Sequence, residues 1–269
     1  MRYWLVMPAA GAGRRFGGAK QYAPLGASTV LDTALQLFID DARCAGGALV
    51  LAPDDAHREA LSRRLAPRFE VVAGGDERAH SVRSGLAALA ARASPEDWVL
   101  VHDAARPCLS AADLSRLLEG GSEETAGALL AVPIADTVKR AAAGTAEQGG
   151  AGGAGGAGGA AGAAGAAGAP GAGAAGGASA RGPRVAGTVS RESLWLAQTP
   201  QMFRYGPLQS ALEHALGAQR APTDEAQAME WEGFEVRLVQ ACDGNPKVTS
   251  AADLALAEAI LASRSRRCA

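Results

Sequence analysis

An α/β fold, with helices on both faces of a mostly parallel sheet, is predicted from three observations. Short β-type runs alternate with amphipathic stretches through the first half of the chain. Those runs are apolar at consecutive positions (WLVM, ALVL, WVLV, ALLAV), as suits strands covered on both faces. The stretch foreign to this pattern, residues 149–178, holds 15 glycines, 14 alanines and one proline and carries no charge, so it adds length without core. Glycine and alanine bury too little to offset backbone entropy, and residues 144–183 are read as a disordered, tolerated insert. Its three-residue beat lacks the proline of a collagen helix. The other 239 residues keep 20 of the 35 glycines and suffice for one domain spanning 1–269.

Element by element, strand Tyr3–Pro8 precedes a glycine-rich segment and a helix over Thr29–Asp40, with Ser28 at its N-cap. Strand Gly47–Ala52, helix Asp54–Leu65, strand Phe69–Ala73 and helix Ala79–Ala91 repeat the unit. Strand Trp98–His102 and helix Ala111–Glu119, capped by Ser110, do so again before strand Ala128–Val132. Right-handed crossovers then fix the winding. After Pro133 the pattern breaks: Ile134–Arg140 and Arg184–Val189 face one another across the insert like the legs of a hairpin. Helices at Leu208–Leu216 and Asp224–Trp231, strand Glu235–Val239 and a closing helix Ala251–Ser263 complete the chain.

Composition narrows the function. With 26 basic and 28 acidic residues interspersed and a net charge of −2, there is no global field to draw nucleic acid or an anionic membrane. Cys44, Cys108, Cys242 and Cys268 lie far apart without a C-x-x-C pair, which argues for reduced thiols and a cytoplasmic setting. No run of about 18 apolar residues could span a bilayer, and the apolar start YWLVMPAA is too short for a signal peptide.

The chemistry-bearing residues gather in loops that follow strands. Ala9, Ala10, Gly11, Ala12 and Gly13 continue the first strand into Arg14, Arg15 and Lys20. Small residues beyond a strand's carboxyl end let backbone N–H groups approach phosphate, and these cations suit a triphosphate. A dinucleotide fingerprint fails because the third glycine, Gly17, falls one place late. Nor does an acid end the second strand to grip a ribose, since Ala52 and Pro53 stand there. A P-loop fails too, because neither Ser nor Thr follows Lys20. Gly74-Gly75-Asp76 opens the helix carrying Ser81, where amides and a hydroxyl can read a base edge; Asp76 could equally be an N-cap. His102-Asp103-Ala104-Ala105-Arg106 ends the fourth strand with a carboxylate and a guanidinium, either an ion pair or a place where Mg²⁺ on phosphates is held. His102 itself reads as a packed histidine.

Taken in order, A-A-G-x-G-R-R, K-Q-Y, G-G-D-E-R-A-x-S-V, V-L-V-H-D-A-A-R-P, D-T-V-K-R, T-V-x-R, L-W-x-A-Q-T-P-Q-x-F, T-D-E-A and N-x-K-V-T resemble the 2-C-methyl-D-erythritol 4-phosphate cytidylyltransferases. The resemblance runs from Trp4 to about Leu261 apart from residues 144–183. It implies a Rossmann-like, glycosyltransferase-A type sheet with a protruding β-arm, here residues 134–190, that pairs two subunits as a homodimer. It also implies transfer of CMP from CTP to methylerythritol phosphate, with Mg²⁺ as cofactor and pyrophosphate as the second product. Carried over residue by residue, Arg15, Lys20 and Lys247 would be catalytic. Ala9, Ala10, Gly11, Ala12, Gly13, Gly75, Asp76, Ser81 and Ala104 would surround CTP. Asp103, Arg106, Thr137, Arg191 and Thr199 would hold the acceptor, with Thr137 and Arg191 supplied by the partner's arm. Asp103 would be the contact for a metal held mainly by the CTP phosphates. Two departures from the family pattern are Ala19, where proline is usual before K-Q-Y, and Pro246 before Lys247. The alternatives are a cytidylyltransferase for another polyol phosphate, such as ribitol 5-phosphate, and a non-catalytic nucleotide-sensing module of the same fold.

Overall fold

The computed structural model describes residues 1–11, 13, 16–123, 126–142 and 183–268. The disorder expected over 144–183 thus falls, except at Pro183, outside the described residues. Two compact units emerge, Met1–Pro133 with Trp195–Ala269, and Ile134–Leu194.

In the first unit the chain runs through β1 (Tyr3–Pro8), a 3-10 turn (Lys20–Tyr22), the ribbon strands β2 (Pro24–Leu25) and β3 (Ser28–Thr29), α1 (Val30–Asp40), β4 (Cys44–Leu51) and α2 (Arg58–Leu65). It continues through β5 (Phe69–Ala73), α3 (Arg78–Leu89), β6 (Trp98–Val101), α4 (Ala111–Ser122) and β7 (Gly127–Pro133). The second unit holds β8 (Val138–Ala141) and β9 (Val185–Val189), which pair antiparallel, so the two hairpin legs expected from the sequence do face each other. The first unit is then completed by β10 (Trp195–Arg204), α5 (Tyr205–Gly217), α6 (Glu225–Trp231), β11 (Arg237–Gln240) and α7 (Ala251–Cys268).

Seven strands form the sheet in the order β11-β7-β10-β6-β1-β4-β5. Every pairing is parallel except those of β10, which runs antiparallel to both β6 and β7. Alternate residues of each strand feed opposite faces. Leu5, Met7, Leu49, Leu100 and Leu130 pack with α1, α2 and α4, whereas Val6, Val50, Val99, Val101 and Leu129 pack with α3, α5 and α6. This two-sided covering is why the strands read as continuous apolar runs. A smaller cluster of Leu25, Val30, Cys108, Val248 and Ala257 seats α7 beside the ribbon.

Two expectations are corrected. The sequence reading places no strand between the hairpin and the helix at Leu208, yet β10 lies at the centre of the sheet. Pro200 and the polar Thr199 and Gln201 interrupt its apolar pattern, and its register with β7 breaks between Ala197 and Gln201. Both polar side chains are buried with their groups in use. Gln201 donates from Nε2 to Asp224 (2.9 Å) and accepts the Ala226 N–H (2.8 Å). The second correction concerns α1, whose N-cap is Thr29 rather than Ser28. Thr29, the last residue of the ribbon and directly before Val30, has extended backbone, and its hydroxyl accepts the Asp32 N–H at 3.1 Å. Ser110 caps α4 as expected, accepting the Asp113 N–H at 3.1 Å.

Loss of an N-cap hydroxyl costs about 1 kcal/mol. Thr29→Ala should therefore lower unfolding free energy in urea by about that amount, and Ser28→Ala should stay within roughly 0.5 kcal/mol of the unaltered chain.

Candidate active site

In the first unit β1 lies between β4 and β6, so successive connections leave it in opposite directions and the strand ends diverge there. A cleft of about 220 Å³ opens at this point, lined by Pro8–Gly11, Lys20, Gln21, the segment Gly75–Arg78, Ser81, Asp103–Ala105 and Lys247. Its walls are backbone held close. Ala9 N–H donates to Val50 (2.7 Å), Gly74 N–H donates to Leu51 (2.7 Å), and the buried Gln21 amide donates to the Ala9 carbonyl (3.1 Å). A side chain on Gly74 would meet the Ser81 hydroxyl and Ala10 Cβ within 2.7 Å. In the glycine-rich loop Gly13 has φ +62°, and a Cβ there would sit 1.8 Å from the Gly18 carbonyl oxygen, so glycine is required. Three amides, of Phe16, Gly17 and Gly18, converge on the Gly13 carbonyl.

The charged lining is a chain of alternating sign. Asp103, 6 % exposed, accepts from Arg78 Nε at 2.9 Å and from Lys247 Nζ at 2.7 Å. The two other guanidinium nitrogens of Arg78 grip both oxygens of the buried Glu225, at 2.6 and 3.0 Å. Burial pushes the Asp103 carboxyl up, but Arg78 and Lys247 outweigh it and hold the group below the usual carboxylate range. At Glu225 burial has the upper hand over the pull of Arg78 and raises the carboxyl. Lys20 Nζ donates to the Val248 carbonyl at 2.9 Å, joining the 3-10 turn to the segment that carries Lys247.

Beneath the cleft, the Thr199 hydroxyl accepts the Asp103 N–H at 3.0 Å and lies 3.2 Å from His102 Nδ1, while His102 Nε2 lies 3.1 Å from the Arg106 carbonyl. Burial keeps the ring neutral, and for a neutral ring only one proton arrangement satisfies all three contacts. The carbonyl can only accept, so Nε2 carries the proton, Nδ1 accepts, and Thr199 donates to it. His102 is thus a packed, neutral histidine, as its sequence context suggested, and burial lowers its pKa to about 4.

A family model described as 2-C-methyl-D-erythritol 4-phosphate cytidylyltransferase matches residues 3–150 and 166–263. The enzyme of that name from Halorhodospira halophila is 44 % identical over 266 residues, covering 97 % of this chain and 94 % of the relative. Its counterpart in Acidithiobacillus ferrooxidans is 44 % identical over 271 residues, 98 % of each chain. The chain belongs to the 2-C-methyl-D-erythritol 4-phosphate cytidylyltransferase family. Solved structures agree: a 4-diphosphocytidyl-2C-methyl-D-erythritol synthase superposes with a TM-score of 0.71 at 32 % identity, covering 97 % of this chain and 98 % of that one. The cytidylyltransferase of Francisella tularensis gives 0.70 at 28 % identity, covering 97 % and 100 %. The reaction of this cytidylyltransferase joins CTP and 2-C-methyl-D-erythritol 4-phosphate, releasing pyrophosphate.

Of the residues singled out in the cytidylyltransferase sequence, Ala9, Ala10, Gly11, Lys20, Gly75, Asp76, Ser81, Asp103, Ala104 and Lys247 line one cleft. Gly13 shapes the adjoining loop, and Ala12 and Arg15 lie outside the described residues. Asp76 is not the N-cap of α3; that position is Glu77, whose side chain makes no capping bond. Thr199 is 4 % exposed and absent from the lining, its hydroxyl already engaged. Arg106 forms no ion pair with Asp103 among the described bonds; it donates to the Asn245 carbonyl at 2.8 Å, and its Nε is buried without a hydrogen-bond partner. Thr137 and Arg191 are exposed in the second unit, where Arg191 donates to the Ala135 carbonyl. Sequence reasoning assigned no role to Arg78 or Glu225, although both lie inside quoted motifs. Their mutual contact spans 147 positions and leaves no local signal.

His102 predicts a pH dependence. Unfolded, it binds a proton below its ordinary pKa of 6.5; folded, only below about 4. The unfolded chain therefore holds more protons between these values, and stability should fall as pH drops from about 6.5 toward 4, by roughly 2–4 kcal/mol. Asp103 adds its own loss only below the ordinary carboxylate range. Urea denaturation at stepped pH measures the slope, which should flatten in His102→Gln.

Proposed function

We propose that cytidylyl transfer in this enzyme is driven by cations rather than by a general base, with Lys20 and Lys247 acting on the triphosphate and Arg15 joining them. What carries the reading is the contact of Lys20 with Val248, which sets two lysines 227 positions apart into one cleft beside glycine-rich backbone. The acceptor's phosphate monoester is a dianion and already a nucleophile. Its oxygen attacks the α-phosphorus of CTP in line, the bond to the bridging oxygen breaks, and pyrophosphate leaves with the electron pair. The barrier is repulsion between two anions, which ammonium groups already gathered in the cleft lower. Ala9–Gly11, Gly75, Asp76, Ser81 and Ala104 supply the nucleoside pocket. We assign Asp103 and Arg106 to the acceptor, with Thr199 acting through Asp103 by accepting its N–H.

A divalent cation fits this cleft in a limited way. No group of three or more His, Cys, Asp or Glu side chains occurs among the described residues, and both Asp103 oxygens already accept from cations. Such a site suits Mg²⁺ brought on the phosphates, with Asp103 the protein's contact. There the ion would neutralise phosphate charge. We also read the second unit as the arm of a homodimer, presenting the exposed Thr137 and Arg191 to the other subunit's acceptor. A cytoplasmic setting accords with the buried, unpaired thiols of Cys44 and Cys108 and with the lack, among described residues, of a helix able to cross a membrane.

The test is pyrophosphate release from CTP and methylerythritol phosphate by the purified chain, with ribitol 5-phosphate as the competing acceptor. Methylerythritol phosphate should be preferred; preference for the ribitol ester overturns the acceptor assignment. Lys20→Ala and Lys247→Ala should each lower kcat by about 10²–10³ with folding retained by circular dichroism; normal turnover in a folded variant removes that lysine from the mechanism. Chelation by EDTA should abolish turnover, and added Mg²⁺ should restore it.

A further inference from the structure

We infer that Glu225 and Arg78 form a positioning pair that fixes Asp103 and, through it, the place from which the Lys247 ammonium enters the reaction. The inference deepens the functional reading above and rests on it. Arg78 lines the cleft and would serve on charge alone as a phosphate ligand. Its geometry says otherwise, because Nε is spent on Asp103 and both terminal nitrogens on Glu225. A guanidinium held at all three nitrogens is a fixed bridge rather than a mobile clamp. Lys247, by contrast, leaves 38 % of its side chain exposed and makes a single carboxylate contact, so it is the end of the chain free to transfer to an incoming anion.

Glu225 is in turn anchored to the sheet. It sits in the first turn of α6, capped by Asp224, whose carboxylate accepts the Gln227 N–H at 3.0 Å. Gln201 on β10 clasps the same turn through Asp224 and the Ala226 N–H. The line Gln201, α6, Glu225, Arg78, Asp103, Lys247 therefore runs from central strand to cleft with a fixed polar contact at each step. Stability does not explain it, since a buried ion pair brings little net gain over apolar residues of equal volume. Loss of one member leaves its partner charge unpaired, and a released Arg78 would compete with Lys247 for Asp103 or for the phosphates.

A double-mutant cycle on the full-length chain tests this. Glu225→Gln, close to isosteric, should lower kcat by about tenfold or more, with KM for CTP changed far less. In the Lys247→Ala background the same change should have less than about threefold effect, because coupled residues are not additive. Thr29→Ala, a cap change on α1 outside the cleft lining, should lower the melting temperature and leave kcat unaltered. Should Glu225→Gln fail to fold, Arg78→Lys, which keeps the charge and loses the fork, should show the same coupling. Equal fold-losses in both backgrounds, or a melting shift with unchanged kcat in Glu225→Gln, would overturn the inference. If instead the unaltered chain released no pyrophosphate from the two substrates, the functional reading itself would fall.

Discussion

A carboxylate at the end of a parallel strand, taken out of water, must be neutralised, and at Asp103 this requirement organises the cleft around it. Two cations reach it from opposite ends of the chain, Arg78 from the start of α3 and Lys247 from the segment before α7. The bonds draw together the loops after β5 and β6 and the C-terminal segment, while Lys20 adds the loop after β1 through Val248. The result is a cleft lined by cations already partly desolvated, where attraction for a phosphate would be stronger than in water.

That arrangement depends on a sheet that admits polar groups at its centre. β10 enters antiparallel between β6 and β7, and it brings Thr199 and Gln201 into a layer otherwise filled by Leu, Val and Phe. Thr199 accepts the Asp103 N–H and donates to a neutral His102, so the backbone of Asp103 is held from below while its carboxylate is held from the sides. Gln201 secures α6 and with it Glu225. The buried side-chain polar atoms of Thr199, His102 and Gln201 each have a hydrogen-bond partner, which is what makes these groups tolerable inside the sheet. Chemistry in the cleft and packing in the sheet are therefore one problem in this protein.

Much of this was legible in the sequence because it is local. The parallel strands announced themselves by apolar runs, the α4 cap by Ser110, and the cleft-lining loop after β1 by small residues followed by cations. β10 was not legible: its proline and buried polar residues mimic a loop, and only their partners on α6 and β6 make them a strand. Ser28 was read as the cap of α1, but the helix begins one residue later than that position requires, and Thr29 takes the role. The cleft lining followed from the motifs, including Lys20, Asp103 and Lys247, yet the Arg78–Glu225 pair behind Asp103 did not. Arg78 and Glu225 meet across 147 residues, a distance over which no periodicity or spacing speaks.

A structure of the protein with CTP bound tests the account most directly. Cytosine should lie beside Gly75 and Ser81, with Lys247 moved from Asp103 to the triphosphate and the contacts of Arg78 with Asp103 and Glu225 unchanged. A nucleotide lodged away from the glycine-rich loop, or an Arg78 that abandons Glu225 to grip phosphate, would contradict it.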